Sequence, residues 1–250
     1  MRFRNHAIGV LAHTGAVKDW LQQGTAASPW DAEGMVAGFA RSSPNPVLME
    51  FAAAELRRLP GGRALDIGCG AARNAVPLAR LGWNVFGVDS SWPMLVAAAE
   101  RSRAEGAPNL VNVAQAPMDK LPVRDQSFDL LIAHGIWNLA ASGDEFRRSV
   151  REAARAAAPG AALFVFTFSR NTFPANVAPV AGESFVFREF SGEPQCFLTA
   201  EQLFEELAAA GFQPDPGVPL TEYNRRPDGA LAVGGPPVIY ECAFRAPPLT

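Results

Sequence analysis

One stretch leaves this chain few choices of fold: Gly62-Arg63-Ala64-Leu65-Asp66-Ile67-Gly68-Cys69-Gly70-Ala71-Ala72-Arg73-Asn74. A short apolar run ends in glycines and then in a helix start. Glycine adopts backbone angles that other residues resist and lets the chain pass close to a ligand. The first N–H groups of a helix have no partner within it, so they point into the same space. Strand, bent turn and helix together make a corner suited to a nucleotide-type ligand.

The rest of the chain reads as completing that corner. Asn45-Pro46 supplies a helix cap followed by proline at the first helical position. The helix after Gly70 contains Pro77, which costs a backbone hydrogen bond, so a kink or a late start is expected. Asn84 to Asp89 is a second apolar strand ending in an acid, and Ser91 caps the next helix. Strands follow at Leu110 to Ala114 and Ser127 to Ala133. Ser142 with Glu145, and later Thr199 with Gln202, have capping-box spacing. Pro159-Gly160 turns the chain into Ala161 to Phe168, a run apolar enough to be buried on both faces. Leu220 to Tyr223 and Val238 to Phe244 form an antiparallel edge hairpin. Such alternation predicts an α/β fold with a doubly wound, mostly parallel sheet.

Length and composition narrow the class. With 250 residues, 48% of them hydrophobic, the chain fits one domain with added segments. A net charge of −3 gives no electrostatic footprint for nucleic acid. Cys69, Cys196 and Cys242 lie far apart without CxxC spacing, which argues against a disulfide framework and against a metal site. Arg2 and Arg4 are followed by no long apolar run, and no stretch is long enough to span a bilayer, so a cytoplasmic location without membrane contact is expected.

The residues beyond the turn narrow the ligand. A dinucleotide fingerprint needs G-x-G-x-x-G. Gly68 and Gly70 fit, but Arg73 stands at the third position, which disfavours a nicotinamide-dependent oxidoreductase. Asp89 ends the second strand, where a carboxylate can accept from both hydroxyls of a ribose.

With A-L-D-I-G-C-G-A-A-R-N-A, V-F-G-V-D-S-S, L-P-V-R-D-Q-S-F-D-L-L-I-A-H-G and A-A-P-G-A-A-L-F-V-F-T-F in this order, residues 45 to 245 resemble the class I S-adenosylmethionine-dependent methyltransferases. The resemblance implies a Rossmann-like seven-stranded sheet with an antiparallel last strand, and S-adenosyl-L-methionine as cofactor with S-adenosyl-L-homocysteine as product. It implies that Asp66 faces the cofactor's amino group, that Gly68, Cys69 and Gly70 line its methionine and ribose, and that Asp89 holds the ribose with Ser90 beside the adenine. Arg73-Asn74 resembles the subset acting on small molecules, so a small-molecule acceptor is expected. Two positions depart from the pattern. Ala72 replaces a glycine, a mild change on size alone. Pro117 stands where relatives often place an adenine-binding Asp, leaving Met118, Asp119 or water to meet the adenine amine, with Met118 and Pro117 as cofactor contacts.

Methyl transfer from a sulfonium is an in-line displacement, and alignment does much of the work. A base is needed only for an acceptor whose proton has a high pKa. His134, just past the fourth strand, is placed to touch the cofactor through its backbone, to act as that base or simply to stack, and Trp137 to shape an acceptor pocket or to join the core. The acceptor is expected to be chosen by added pieces. Residues 1–45 form an N-terminal helical segment, a lid or a strap on the methyltransferase domain of residues 46–250. Residues 170–198 are rich in aromatics and read equally as a lid or as a hairpin packed on the core. A binding module that holds the cofactor or a metabolite without turnover is the alternative to an enzyme.

Overall fold

The glycine-led stretch begins the sheet. In the computed structural model, which describes residues 29–59, 61–107, 109–225 and 236–248, β1 (Arg63–Ile67) lies at the centre. It pairs in parallel with β2 (Asn84–Asp89) on one side and β4 (Phe128–His134) on the other, so Asp66 faces Gly87 and Ile132 in register. β3 (Val111–Gln115) continues beyond β2, and β5 (Ala157–Phe168) beyond β4. β10 (Ile239–Arg245) then runs antiparallel to β5. Two short strands, β8 (Gln213–Pro214) and β9 (Thr221–Tyr223), pair with opposite ends of β10. The sheet therefore has eight strands, ordered β3-β2-β1-β4-β5-β10-β8 with β9 on the same β10 edge. The anticipated seventh position is present but broken into two pieces. Strand order reverses between β1 and β4, the place where such sheets open a crevice at their carboxyl ends.

The predicted helices form close to where their caps place them. α1 (Glu33–Arg41) precedes α2 (Pro46–Arg58), which Asn45 starts by accepting from the Leu48 N–H at 2.9 Å. α3 (Ala75–Leu81) begins late, so Pro77 falls in the first turn, where a missing N–H removes no bond. α4 (Trp92–Ala104) is capped by Ser91. α5 (Gly143–Ala156) is capped by Ser142, but the Glu145 carboxylate accepts from Ala141 N–H instead of closing the box. The box at Thr199, starting α6 (Ala200–Ala209), is complete. Pro159-Gly160 lies inside β5, which starts at Ala157 ahead of the expected Ala161; opposite Phe128 to Leu130 the register moves from Ala157 to Ala162, so three extra residues bulge out around this pair.

Alternation along the strands builds a core on each face of the sheet. Leu65, Ile67, Leu131 and Leu163 pack beneath α5 and α6 with Phe146, Val150, Leu203 and Leu207. Ala64, Leu130, Ile132 and Phe164 pack beneath α2 and α3 with Leu48, Ala52 and Leu78. Trp137 is 1% exposed and edge-on to Phe146, so it belongs to the first core. On the second face, the carboxyl ends of the strands carry polar groups: Asp66, His134 and Glu241 continue the rows that Ala64, Ile132 and Ala243 begin.

Of the N-terminal segment expected over residues 1–45, residues 1–28 lie outside the described residues. Residues 170–198 form a compact knot around the hairpin β6 (Val186–Phe187) and β7 (Gln195–Cys196). Phe173, Phe187 and Phe197 make a small core of their own with Phe168 and Val177. The Arg170 guanidinium lies 4.9 Å from the Phe187 ring centroid and donates to the carbonyls of Phe173, Pro174 and Val177. Phe185 packs edge-on against Phe146 of α5.

Candidate active site

The turn after β1 is locked by its neighbours. The Gly68 and Cys69 N–H groups both donate to the Val88 carbonyl, at 2.7 and 3.0 Å. Gly68 has φ 70°, and a Cβ there would come 2.6 Å from the Ile136 side chain, so both conformation and space demand glycine. Ala72 also sits at positive φ, 59°. Its substitution for glycine is thus not only a matter of size: it carries a conformational cost of about 1 kcal/mol.

This turn borders a cavity of about 380 Å³. Gly68, Gly70, Asp89, Ser90, Pro117, Met118 and His134 line it, among the residues singled out from sequence. The cavity also takes Trp30 and Phe39 from the segment before α2, Met94 from α4, and Ile136, Leu139 and Glu145 from the region between β4 and α5. Asp66 and Cys69 are not in its lining. Cys69 turns its sulfur onto Gly87, where an added Cβ would come within 2.7 Å, and burial pushes its thiol pKa up. Asp66 is buried beneath the turn. No residue of 170–198 is among those lining the cavity, so the aromatic knot does not cover it.

Asp89 is the best-fixed polar group of the cavity. Its Oδ2 accepts from Gly70 N–H and its Oδ1 from Ser91 N–H, each at 2.8 Å. Burial raises its pKa, and the N–H groups of Ser91, Gly70 and Ser90 pull the other way. The Ser91 hydroxyl donates to Asp31 at 2.7 Å, which ties the segment carrying Trp30 to the strand end carrying Asp89. Trp30 meets Phe39 edge to face at 6.0 Å.

His134 lines the cavity and also stacks, one of the roles its position allowed. Its ring stacks on Phe166, with centroids 4.1 Å apart and planes 9° from parallel. Arg73 Nη2 lies 3.0 Å from Nδ1 and 3.2 Å from Nε2. A group nearly equidistant from both ring nitrogens lies over the ring face, since in the plane it would collide with Cε1. The imidazole is therefore sandwiched between Phe166 and the guanidinium. Asn45 Nδ2 approaches Nε2 at 3.2 Å and donates to Glu241 at 2.6 Å, and Tyr223 donates to the other Glu241 oxygen at 2.8 Å. Burial, with the Arg73 charge second, lowers the His134 pKa to about 3. The ring is neutral at physiological pH, and its Nε2 lone pair already has a donor.

Asp66 holds the group that most needs a ligand. Its Oδ2 is buried without a hydrogen-bond partner. Burial raises its pKa to about 7, opposed by Arg73 and assisted by Asp89. A carboxylate in this state favours a cationic donor, and the α-amino group of S-adenosylmethionine is one. Asp89 at the rim and the glycine cradle fit the rest of that molecule. Among the described residues, no group of three or more His, Cys, Asp or Glu side chains is placed to hold a metal ion, and no helix is long and apolar enough to cross a membrane.

The fold and this cavity together define a Rossmann-like α/β protein with a nucleoside-binding crevice at the switch of strand order. Comparison with known proteins carries this further. Residues 65–165 match a family described as a methyltransferase domain. The ubiquinone biosynthesis O-methyltransferase of Azorhizobium caulinodans is 30% identical over 198 residues, which cover 74% of this chain and 75% of that protein. The chain belongs to the class I S-adenosylmethionine-dependent methyltransferase family. Two solved structures show the same fold at lower identity. The [4+2]-cyclase SpnF aligns with a TM-score of 0.61 and 23% identity over 84% of this chain and 85% of that one. The 1,6-didemethyltoxoflavin-N1-methyltransferase of Burkholderia thailandensis, solved with S-adenosylhomocysteine bound, aligns with a TM-score of 0.57 and 20% identity over 80% and 78%.

Proposed function

We propose that this enzyme moves a methyl group from S-adenosylmethionine to a small-molecule acceptor, with Asp89 holding the ribose hydroxyls. The observation that carries the reading is Asp89 itself: a carboxylate fixed by two N–H bonds at the wall of an enclosed crevice beside Gly68, Gly70 and Met118. When bound, the cofactor supplies an already activated methyl group. The chain's own work is then placement. Asp66, beneath the turn, faces the ammonium through water, Gly68 and Gly70 give room for the methionine portion, and Ser90, Pro117 and Met118 flank the base. Cys69 contributes its backbone to the turn, while its thiol serves packing.

His134 takes a positioning role in this reading. Its ring spaces Arg73 from Phe166 and, neutral with a pKa lowered to about 3, is too weakly basic to take a proton from an acceptor near neutrality. The segment from Trp30 to Phe39 acts as the cover on the cavity, and 170–198 as a packed buttress on α5. The relatives' names support acceptor diversity within one fold, an O-methyltransferase and an N1-methyltransferase among them. A second reading, cofactor binding without methyl transfer, is favoured by the likeness to a protein named as a cyclase.

A labelled-methyl transfer screen across hydroxyl, amine, thiol and carboxylate small molecules tests the proposal. Label transferred to one class, with S-adenosylhomocysteine formed in equal amount, supports it. Tight cofactor binding with no transfer to any class supports the second reading.

A further inference from the structure

The cavity holds two carboxylates among its described lining residues, Asp89 and Glu145, and cofactor binding through the ribose engages only Asp89. Glu145 stands in the first turn of α5. Further along the same helix face, Arg148 Nε donates to Asp119 at 3.0 Å, and Glu152 accepts from Leu121 N–H at 2.8 Å. Positions three to four apart share a helix face. The loop after β3 is thus laid along α5 in the opposite direction, Leu121 against Glu152 and Asp119 against Arg148. One turn earlier, at the cavity, that register sets Glu145 against the Pro117–Met118 end of the loop. Its Oε2 accepts from Ala141 N–H at 2.8 Å, which fixes the carboxylate, and a carboxylate has further lone pairs to offer.

A nucleoside whose ribose is held at Asp89 and whose methionine portion runs over Gly68 must send its base the other way. Beyond Asp89 and the glycines, the cavity lining includes the apolar side chains of Met118, Ile136 and Leu139 and the carboxylate of Glu145. A base amine buried there needs an acceptor, because an unmet donor loses its hydration without return. Of the other candidates, Asp119 is outside the cavity lining and is paired with Arg148, and the Pro117 carbonyl, which accepts from Lys120 N–H, offers no charge.

We propose that Glu145 is the specificity determinant for the base, its carboxylate accepting from the exocyclic amine of adenine and rejecting a 6-oxo purine in its place. The inference rests on the cofactor reading above. A 6-oxo group would turn its oxygen toward the carboxylate, which replaces an attraction with a repulsion.

Calorimetric titration with S-adenosylhomocysteine and with its deaminated analogue, S-inosylhomocysteine, tests this. The wild-type protein should prefer the adenine form by about 30-fold, the scale of one charge-assisted hydrogen bond. In Glu145→Gln the amide can turn to donate to the 6-oxo group while still serving Ala141, so the preference should fall to about threefold or less. Glu145→Ala, checked for folding by its thermal midpoint, should weaken S-adenosylhomocysteine and strengthen the deaminated form, which no longer meets a carboxylate. An unchanged preference in both variants, with S-adenosylhomocysteine still bound, overturns the role of Glu145 alone. Wild-type protein that binds neither compound overturns it together with the cofactor reading.

Discussion

Two segments of this molecule look alike in sequence and end up in opposite situations. The stretch around Trp30 and Phe39, and the stretch from Phe173 to Phe197, are both aromatic additions to the sheet. The second satisfies itself. Its phenylalanines pack on one another, and Arg170 meets the carbonyls that the folded loop exposes. The first has little core of its own: α1 buries no residue fully, and its aromatic rings face the cavity. Aromatic content alone therefore does not distinguish a cover from a buttress. Whether the segment closes its rings into a buried core does: Phe173, Phe187 and Phe197 form one, whereas Trp30 and Phe39 meet each other but line the cavity.

The largest effect separating the two segments is expected at Phe197, which is fully buried. Phe197→Ala should cost about 3–5 kcal/mol of stability in a urea melt while leaving the cofactor dissociation constant of the folded protein nearly unchanged. A variant that loses cofactor affinity without losing stability would put the knot in the site after all.

Acidity probes the ground beneath the cover. His134 has its pKa lowered from 6.5 to about 3, so acidification below 6.5 protonates the unfolded chain first and removes stability. Asp66 has its pKa raised from 3.8 to about 7, so raising the pH above 3.8 ionises the unfolded chain first and also removes stability. Between 3.8 and 6.5 the two slopes oppose each other. In Asp66→Asn, urea midpoints should climb with pH across this window. In His134→Asn they should fall. Parallel profiles for both variants would contradict these shifts, and Phe197→Ala should leave the slope as it is in the wild type.

Trp30→Ala approaches the same contrast from the other side. It should weaken S-adenosylhomocysteine about five- to tenfold, the scale of one aromatic contact, and barely move the thermal midpoint. The smallest effect belongs to Ala72→Gly. Relief of the positive φ, about 1 kcal/mol, less the added freedom of the unfolded chain, about 0.4–1 kcal/mol, should stabilise the protein by roughly 0.5 kcal/mol or less. A loss of stability there would mean that the Ala72 methyl packs better than its backbone angle costs.

Much of the fold was legible because its signals are local. Asn45, Ser91 and Thr199 cap the helices that their spacing announced, and the strand ending at Asp89 needed only its apolar run. Of the broken edge beside β10, the β9 half was legible as the strand at Leu220 to Tyr223, whereas β8, two residues long, was too short to show a pattern. For the site, the glycines, Asp89, Ser90, Pro117 and Met118 follow from position after a strand. Glu145 does not, because its place depends on how the loop after β3 lies along α5. His134 was found by position, but its surroundings were not. Arg73, Asn45 and Phe166 reach it from three separate elements, and nothing in the His134 neighbourhood of the sequence names them.

Everything proposed for this enzyme depends on the crevice over the glycine turn holding S-adenosylmethionine through Asp89. Calorimetric titration of wild-type and Asp89→Ala protein with S-adenosylhomocysteine and with NAD addresses that dependence. The wild type should show one S-adenosylhomocysteine site and no comparable affinity for NAD. The variant should bind S-adenosylhomocysteine about 100-fold more weakly, from loss of two charge-assisted hydrogen bonds. An unchanged dissociation constant in Asp89→Ala, or NAD bound tightly in place of the sulfur ligand, would contradict the assignment.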